Sequence, residues 1–259
     1  MTANYFIPWS LIAPAAAAGL LVLLTHVPLG REVLRRGIIF IDLAIAQIAG
    51  LGVILAYSLG WHPQGWRVQV VALTAALSGA WLLSKTERHL ARHQEALIGT
   101  VFVLAATASL LLLAGQARSN EHLQTLLNGQ ILWVSWPMLG PLATLAMLMG
   151  FSAWRYPALY TACLRGRYFY LLFAVTITFS VQVVGVYLVF ASLVIPALSA
   201  YQNPQALRYA FAVGLLGYSL GLGLSIWLDW PTGACIVWGL AVAALGLQLG
   251  VIFKQAVKS

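Results

Sequence analysis

Charge is what this chain has least of. Only 8% of its 259 residues are Asp, Glu, Lys or Arg, while 61% are hydrophobic. Soluble domains carry about 25% charged residues. No soluble fold of this length hides so much apolar side chain, so the solvent around it is lipid. The same figures exclude a disordered chain and a collagen-like one. Cysteine is nearly missing: Cys163 and Cys235 are the only two. The first falls in a predicted cytosolic connection and the second in a membrane segment near the opposite face. That separation speaks against a disulfide, and no cysteine metal motif exists.

Catalytic motifs are missing too. A phosphate-cradling loop reads GxxxxGK[ST], yet the three lysines follow Ser84, Phe253 and Val257, so there is no GK pair. The chain hydrolyses no ATP through such a loop; if it is a pump, another subunit drives it. HExxH is absent because no histidine precedes a glutamate. The nucleophile elbow GxSxG is absent as well. His89 and His93 in TERHLARHQE stand i, i+4, so one helical face could present both imidazoles to a metal. Glu87, Arg88, Arg92 and Glu95 around them favour a solvated connection instead. Haem would want histidine inside spans, and His26 sits at a membrane boundary with the other histidines in loops. The expectation is a chain that is not an enzyme and binds no cofactor of its own.

What the chain does have is a series of apolar runs, roughly 5–27, 38–60, 67–84, 96–115, 137–154, 168–184, 186–200, 209–228 and 231–253. A membrane span needs about 20 apolar residues. Irregular backbone in lipid leaves amides unsatisfied, so the runs read as helices. They are continuous rather than alternating, which argues against a transmembrane β-barrel. The expected fold is all-α: a polytopic helix bundle of about eight to nine spans, forming a single transmembrane domain over residues 1–259. The first run has no basic residue before it and is too long for a signal-peptide core, so it reads as a retained span.

Lysine and arginine set the orientation. With the N-terminus outside, the cytosolic connections hold Arg31, Arg35 and Arg36; Lys85, Arg88 and Arg92; Arg155, Arg165 and Arg167; Arg208; and Lys254 and Lys258. Only Arg67 and Arg118 then lie outside, and the C-terminus is cytosolic. This bias accounts for the net charge of +8 without invoking nucleic acid.

Residues 168–200 are too many for one simple span. Two crossings keep the charge bias, with a bend at Gly185 and a short or broken second segment, Val186 to Ala200, that contains Pro196. Gln182 and Ser192 flank that bend. Short, Gly- or Pro-interrupted segments often line a pathway. One long tilted helix is the other reading. The loop 116–136 falls outside, with Trp133 and Trp136 at the membrane interface and a short helix capped by Ser119. GxxxG pairs at Gly217/Gly221 and Gly246/Gly250 permit close helix packing.

Asp42 stands about one turn inside the second run. Gln47 is five positions on, about 140° away around a helix. An ionisable residue inside a span marks a pathway by default. The alternative is pairing with the neighbouring arginines near the interface. Asp229, in LDWPTG, reads as an external turn with Pro231 and Gly233.

Several blocks, in order from about residue 30 to 240, resemble the integral-membrane permeases of zinc/manganese/iron ABC importers. RRGIIFIDLAIAQIAGLG resembles that family's second-span signature, EALIGTVFVLAA the start of its fourth span, and GQILWVSW its external loop. VVGVYLVFASLVIPALSA resembles its VG-x-LLV-x-ALL-x-PA-x-A segment, and DWPTGACIVW its D-x-PTG turn. The family commonly reads GDxxSH where this chain keeps Asp42 but has Ile41 before it and Ala46, with Gln47 adjacent, at the histidine. The docking segment before the sixth span, here WRYPALYTACLRGRY, lacks the family's acid and has extra residues before Gly166.

The resemblance implies a homodimer in a bacterial inner membrane, with a central path through lipid. ATP would be held by ATP-binding subunits docked beneath, and a periplasmic metal-binding protein would deliver the ion, zinc or manganese. Asp42 and Gln47 would be the metal-contacting residues. Gln182, Gly185, Ser192 and Pro196 would form the pathway bend, and Arg165 and Gly166 would face the ATPase. The rival readings are a permease for an iron chelate or cobalamin-like cargo, and a non-transporting membrane anchor subunit.

Overall fold

The computed structural model describes residues 9–61, 65–90, 93–113, 131–201, 203 and 205–256. Every regular element among them is helical: α1 (Trp9–Arg36), α2 (Ile41–Ser58), α3 (Trp66–Leu90), α4 (Gln94–Leu113), α5 (Gly140–Arg155), α6 (Pro157–Arg165), α7 (Phe169–Val184), α8 (Val186–Ser199), α9 (Ala206–Leu228) and α10 (Thr232–Ala256). Two short 3₁₀ turns, Ile131–Trp133 and Trp136–Leu139, precede α5. Seven helical stretches are long and apolar enough to cross a membrane, and the pair α6–α7, bent by 86°, makes an eighth if counted as one span. The chain is the all-α polytopic bundle that its apolar runs predict. The short segment falls where expected: α8 has 14 residues, about 21 Å of helix, against a hydrocarbon core of about 30 Å.

Residues 168–200 do not form one long helix. Gly185 stands between α7 and α8 at φ 82° and ψ 163°, a region that only glycine occupies readily. Its N–H closes α7 on the Val181 carbonyl at 2.8 Å, and its carbonyl opens α8 by accepting from the Val189 N–H at 3.1 Å. One residue therefore ends one helix and starts the next.

The helix ends sort into two layers. At the basic end lie the C-termini of α1 and α3, the N-termini of α2 and α4, and the α6–α7 elbow. Hydrogen bonds from Arg36, Gln94 and Phe40 tie them together. At the opposite end, Gln69 in the first turn of α3 bonds Gln182 in the last turn of α7. There too Ser225 donates to the Trp230 carbonyl at 2.7 Å, closing the α9–α10 turn, and Asp229 adopts the left-handed conformation at φ 54° that ends many helices. Trp9, Trp66, Trp133, Trp136, Trp227 and Trp230 are exposed at this end, the placement of an aromatic belt.

Small residues let the helices approach. On α1, Gly19 faces the Tyr218 ring of α9 and Gly30 faces the Leu193 carbonyl of α8. Gly217 packs on α10, where a Cβ would stand 2.6 Å from the Leu240 Cα. A Cβ on Gly246 would meet nothing within 4 Å among the described residues, unlike one on Gly217.

Two expectations are corrected. The first run does not stop at Val27: α1 continues to Arg36 as one 28-residue helix with Pro14 and Pro28 inside it. Its long buried face, from Pro14 to Val33, outweighs the local cost of proline. His26 is consequently fully buried in α1 rather than at a membrane boundary, and Arg31, Arg35 and Arg36 ride on the last turns of a helix rather than in a loop. His89 and His93 share no helix, in keeping with the connection that the charges around them favour. α3 ends at Leu90 and α4 opens at Gln94, and His93 is exposed. The His89 side chain lies outside the described residues, as does the expected Ser119-capped helix.

Candidate functional site

At the basic end, the chain turns from α1 into α2 through Gly37, at φ 67°. Asp42 then sits in the first turn of α2, where the helix dipole favours an acid. The residue is 1% exposed, and neither carboxylate oxygen has a hydrogen-bond partner among the described residues. The neighbouring arginines do not neutralise it. Arg35 donates to Glu32 through Nε at 2.8 Å and Nη2 at 2.6 Å. Arg36 donates to Glu32 at 2.9 Å and to Glu87 at 3.3 Å. The pairing alternative for Asp42 is thereby excluded for Arg35 and Arg36.

A second acid at this end of the bundle is one the sequence reading left in a loop. Glu95 stands in the first turn of α4. Its Oε1 accepts the Phe40 N–H at 3.1 Å, and its buried Oε2 has no partner among the described residues. Asp42 and Glu95 thus stand in the first turns of two helices, α2 and α4, that the Phe40–Glu95 bond links. The Phe40 ring stacks on Phe190 of α8, centroids 6.2 Å apart, so the short helix reaches the same end of α2. Ala46 and Ala49 continue the Asp42 stripe at helical spacing, and both are buried. Gln47 lies off that stripe and is half-buried.

The other expected site residues do not gather around Asp42. Gln182 is held by Gln69 at the far end of α7. Ser192 shares a 2.8 Å hydrogen bond with the Tyr218 hydroxyl, joining α8 to α9. Pro196 is buried within α8. Arg165 and Gly166 form the elbow: α6 opens with Pro157 at its first turn, buries none of its residues, and ends at Gly166. A Cβ on Gly166 would collide with the Ala162 carbonyl, so close approach rather than unusual φ requires the glycine.

Glu32, Gln69 and Tyr218 were missed by sequence reasoning, which read Arg36 as a cytosolic charge or a partner for Asp42, and Glu95 as part of a solvated connection. Glu32 stands three and four residues before Arg35 and Arg36, the spacing of intrahelical ion pairs, and could have been found. Glu95 became visible once α4 was seen to start at Gln94. Gln69 and Tyr218 carry no local signal, because their partners come from distant helices. Among the described residues, no group of three or more His, Cys, Asp or Glu side chains could hold a metal.

A bundle of this kind, apolar across seven or eight spans, is a polytopic membrane protein. The ABC 3 transport family matches residues 9–165 and 158–250, and the chain belongs to it as the membrane-spanning permease of an ABC transporter. An uncharacterized membrane protein of Synechocystis sp. is 27% identical over 260 residues, covering 93% of this chain and 90% of that protein. Among solved structures, PsaBC from Streptococcus pneumoniae in complex with Fab superposes with a TM-score of 0.72 at 20% identity, over 92% of this chain and 90% of that one. A transporter described as metal-chelate type, in an inward-facing conformation, gives 0.60 at 16% identity over 93% and 85%. At these identities the two structures share the fold.

Proposed function

We propose that the chain is the translocating subunit of an ATP-driven importer of a divalent metal ion, zinc or manganese, in a bacterial inner membrane. One observation carries the reading: Asp42 is a buried acid in the first turn of a membrane helix with no side-chain partner among the described residues, at the same end of the bundle as a second carboxylate, Glu95. An ionisable group inside a span that no side chain neutralises marks an ion pathway. The family membership and the likeness of fold to PsaBC support it.

The donor set favours one of the two metals. Carboxylate oxygens suit manganese, and imidazole suits zinc. Here the position one turn beyond Asp42 is Ala46, and no imidazole joins the two acids among the described residues. Two carboxylates are too few to hold an ion tightly, which suits passage. Manganese is therefore the preferred cargo. A chelate cargo is the second reading, supported by the likeness to the metal-chelate type transporter, but a bare cation fits the buried Asp42 carboxylate, with the half-buried Glu95 at the same end, better.

In this account the basic end faces the cytosol and the tryptophan belt faces out. Two copies enclose the path. The exposed helix α6, with Arg165 and Gly166 at its end, docks the ATP-binding subunit, and a periplasmic metal-binding protein meets the other end. The test is reconstitution with the ATP-binding subunit in proteoliposomes, measuring ATP-dependent uptake of manganese, zinc and a ferric chelate. Manganese or zinc uptake is expected. Uptake of the chelate alone refutes the reading.

A further inference from the structure

We propose that Arg36 couples the elbow helix α6 to the Asp42 end of α2, so that movement of the docked ATP-binding subunit reaches the ion path through one guanidinium. This rests on the docking role given to α6 above.

The last carbonyls of any helix lack intrahelical donors. At the end of α6 these are supplied by another helix. Arg36 Nη2 donates to the Arg165 carbonyl at 2.8 Å and to the Gly166 carbonyl at 3.1 Å. A cation at a helix C-terminus also suits the dipole. The same guanidinium donates through Nε to Glu32 at 2.9 Å and through Nη1 to Glu87 of α3 at 3.3 and 3.4 Å. Its plane lies 4.4 Å over the Phe169 ring at the start of α7, an attractive cation–π position. All three nitrogens are committed, to three different parts of the fold. Only arginine has the planar fork to do this; a lysine ammonium is a single point charge.

The position of Arg36 in the chain makes the fastening consequential. It is the last residue of α1. Four residues on, the Phe40 N–H is held by Glu95, and Asp42 follows. No residue of α6 is fully buried; Tyr160 and Leu164 pack partly on the core, and the polar bonds to Arg36 fasten the C-terminal end of the helix to α1 and, through Glu87, to α3. Displacing the end of α6 must therefore either break the Arg36 fork or drag the α1–α2 turn, and with it Asp42. Arg36 touches no cargo and acts through other groups, as a positioning residue.

The test uses the whole transporter, permease with ATP-binding subunit, in proteoliposomes. ATP hydrolysis and manganese or zinc uptake are read in the same vesicles for wild type, Arg36→Gln, Arg36→Lys and Glu87→Gln. Arg36→Gln is expected to keep basal hydrolysis while uptake per ATP falls by about tenfold, within the usual range for coupling between sites. Arg36→Lys is expected not to restore it, and Glu87→Gln to fall between. Unchanged uptake per ATP in Arg36→Gln overturns the proposal. So does a parallel fall in hydrolysis and uptake, which is what a staple that merely holds the fold would give. If Arg36→Gln does not fold, Glu87→Gln decides: wild-type uptake per ATP in that variant overturns the proposal. Cross-linking from Cys163, on α6, to the ATP-binding subunit tests the docking role separately. Its absence overturns both readings, whereas a cross-link with unaltered coupling in the variants overturns this one alone.

Discussion

Replacing Gly185 by alanine loads the joint between α7 and α8 directly. At φ 82° and ψ 163°, a Cβ costs about 1–3 kcal/mol. Gly185 is buried, so the strain cannot be shed into a loose surface turn. Both helices hang on the residue, through the bonds to Val181 and from Val189. The one escape is a negative φ, which would run α7 straight into α8 and lift α8 off α1, where Gly30 admits the Leu193 carbonyl. In a chain of this size each kcal/mol moves the melting temperature by about 2–4 °C. Gly185→Ala should therefore melt about 2–12 °C below wild type. The assay is thermal unfolding of the purified protein in detergent, followed by tryptophan fluorescence. Gly246→Ala is the control. Gly246 lies inside α10, where a Cβ would meet nothing within 4 Å among the described residues, and alanine gains up to about 1 kcal/mol of helix propensity there. If Gly185→Ala melts at or above the wild-type temperature while the control behaves, the joint is not held at positive φ and α7 and α8 are one helix after all.

Other outcomes follow from single contacts. Ser192→Ala leaves the Tyr218 hydroxyl, on a residue 4% exposed, without its 2.8 Å partner, at about 1–3 kcal/mol. Adding Tyr218→Phe should recover most of that loss, and additive losses in a double-mutant cycle would reject the pairing. Gln69→Leu removes the α3 partner of Gln182 and strands a buried amide, for a loss of about 1–3 kcal/mol. The same melting assay reads it, and an unchanged midpoint would mean that the two helices do not rely on this bond.

Much of the fold was legible because lipid leaves few options. Continuous apolar runs had to be helices, and their charged junctions gave the two ends. Gly185 was readable as a break because glycine before a short, proline-bearing run has little other use. The end of α1 was misread because Pro28 and Gly30 look like punctuation. Their helix persists because a long face is buried against α8 and α9, and sequence spacing does not report that partner. The site was only half legible. Asp42 stood out as an acid in grease, but Glu95 lay next to arginines and histidines and read as solvated. The choice for Asp42 between a path and an arginine pair turned on where Arg35 and Arg36 point. Glu32 and Glu87 decide that, and Glu87 lies on a different helix.

The central claim is that the bare carboxylate of Asp42, with Glu95 at the same end of the bundle, is part of the ion path. It is tested most directly by ATP-dependent manganese uptake in proteoliposomes containing wild type or Asp42→Asn at matched abundance and matched ATP hydrolysis. Asparagine keeps the shape and removes the charge. The account predicts that uptake falls by about tenfold or more, the factor that ~1.4 kcal/mol of lost ion affinity gives. Wild-type uptake by Asp42→Asn would contradict it.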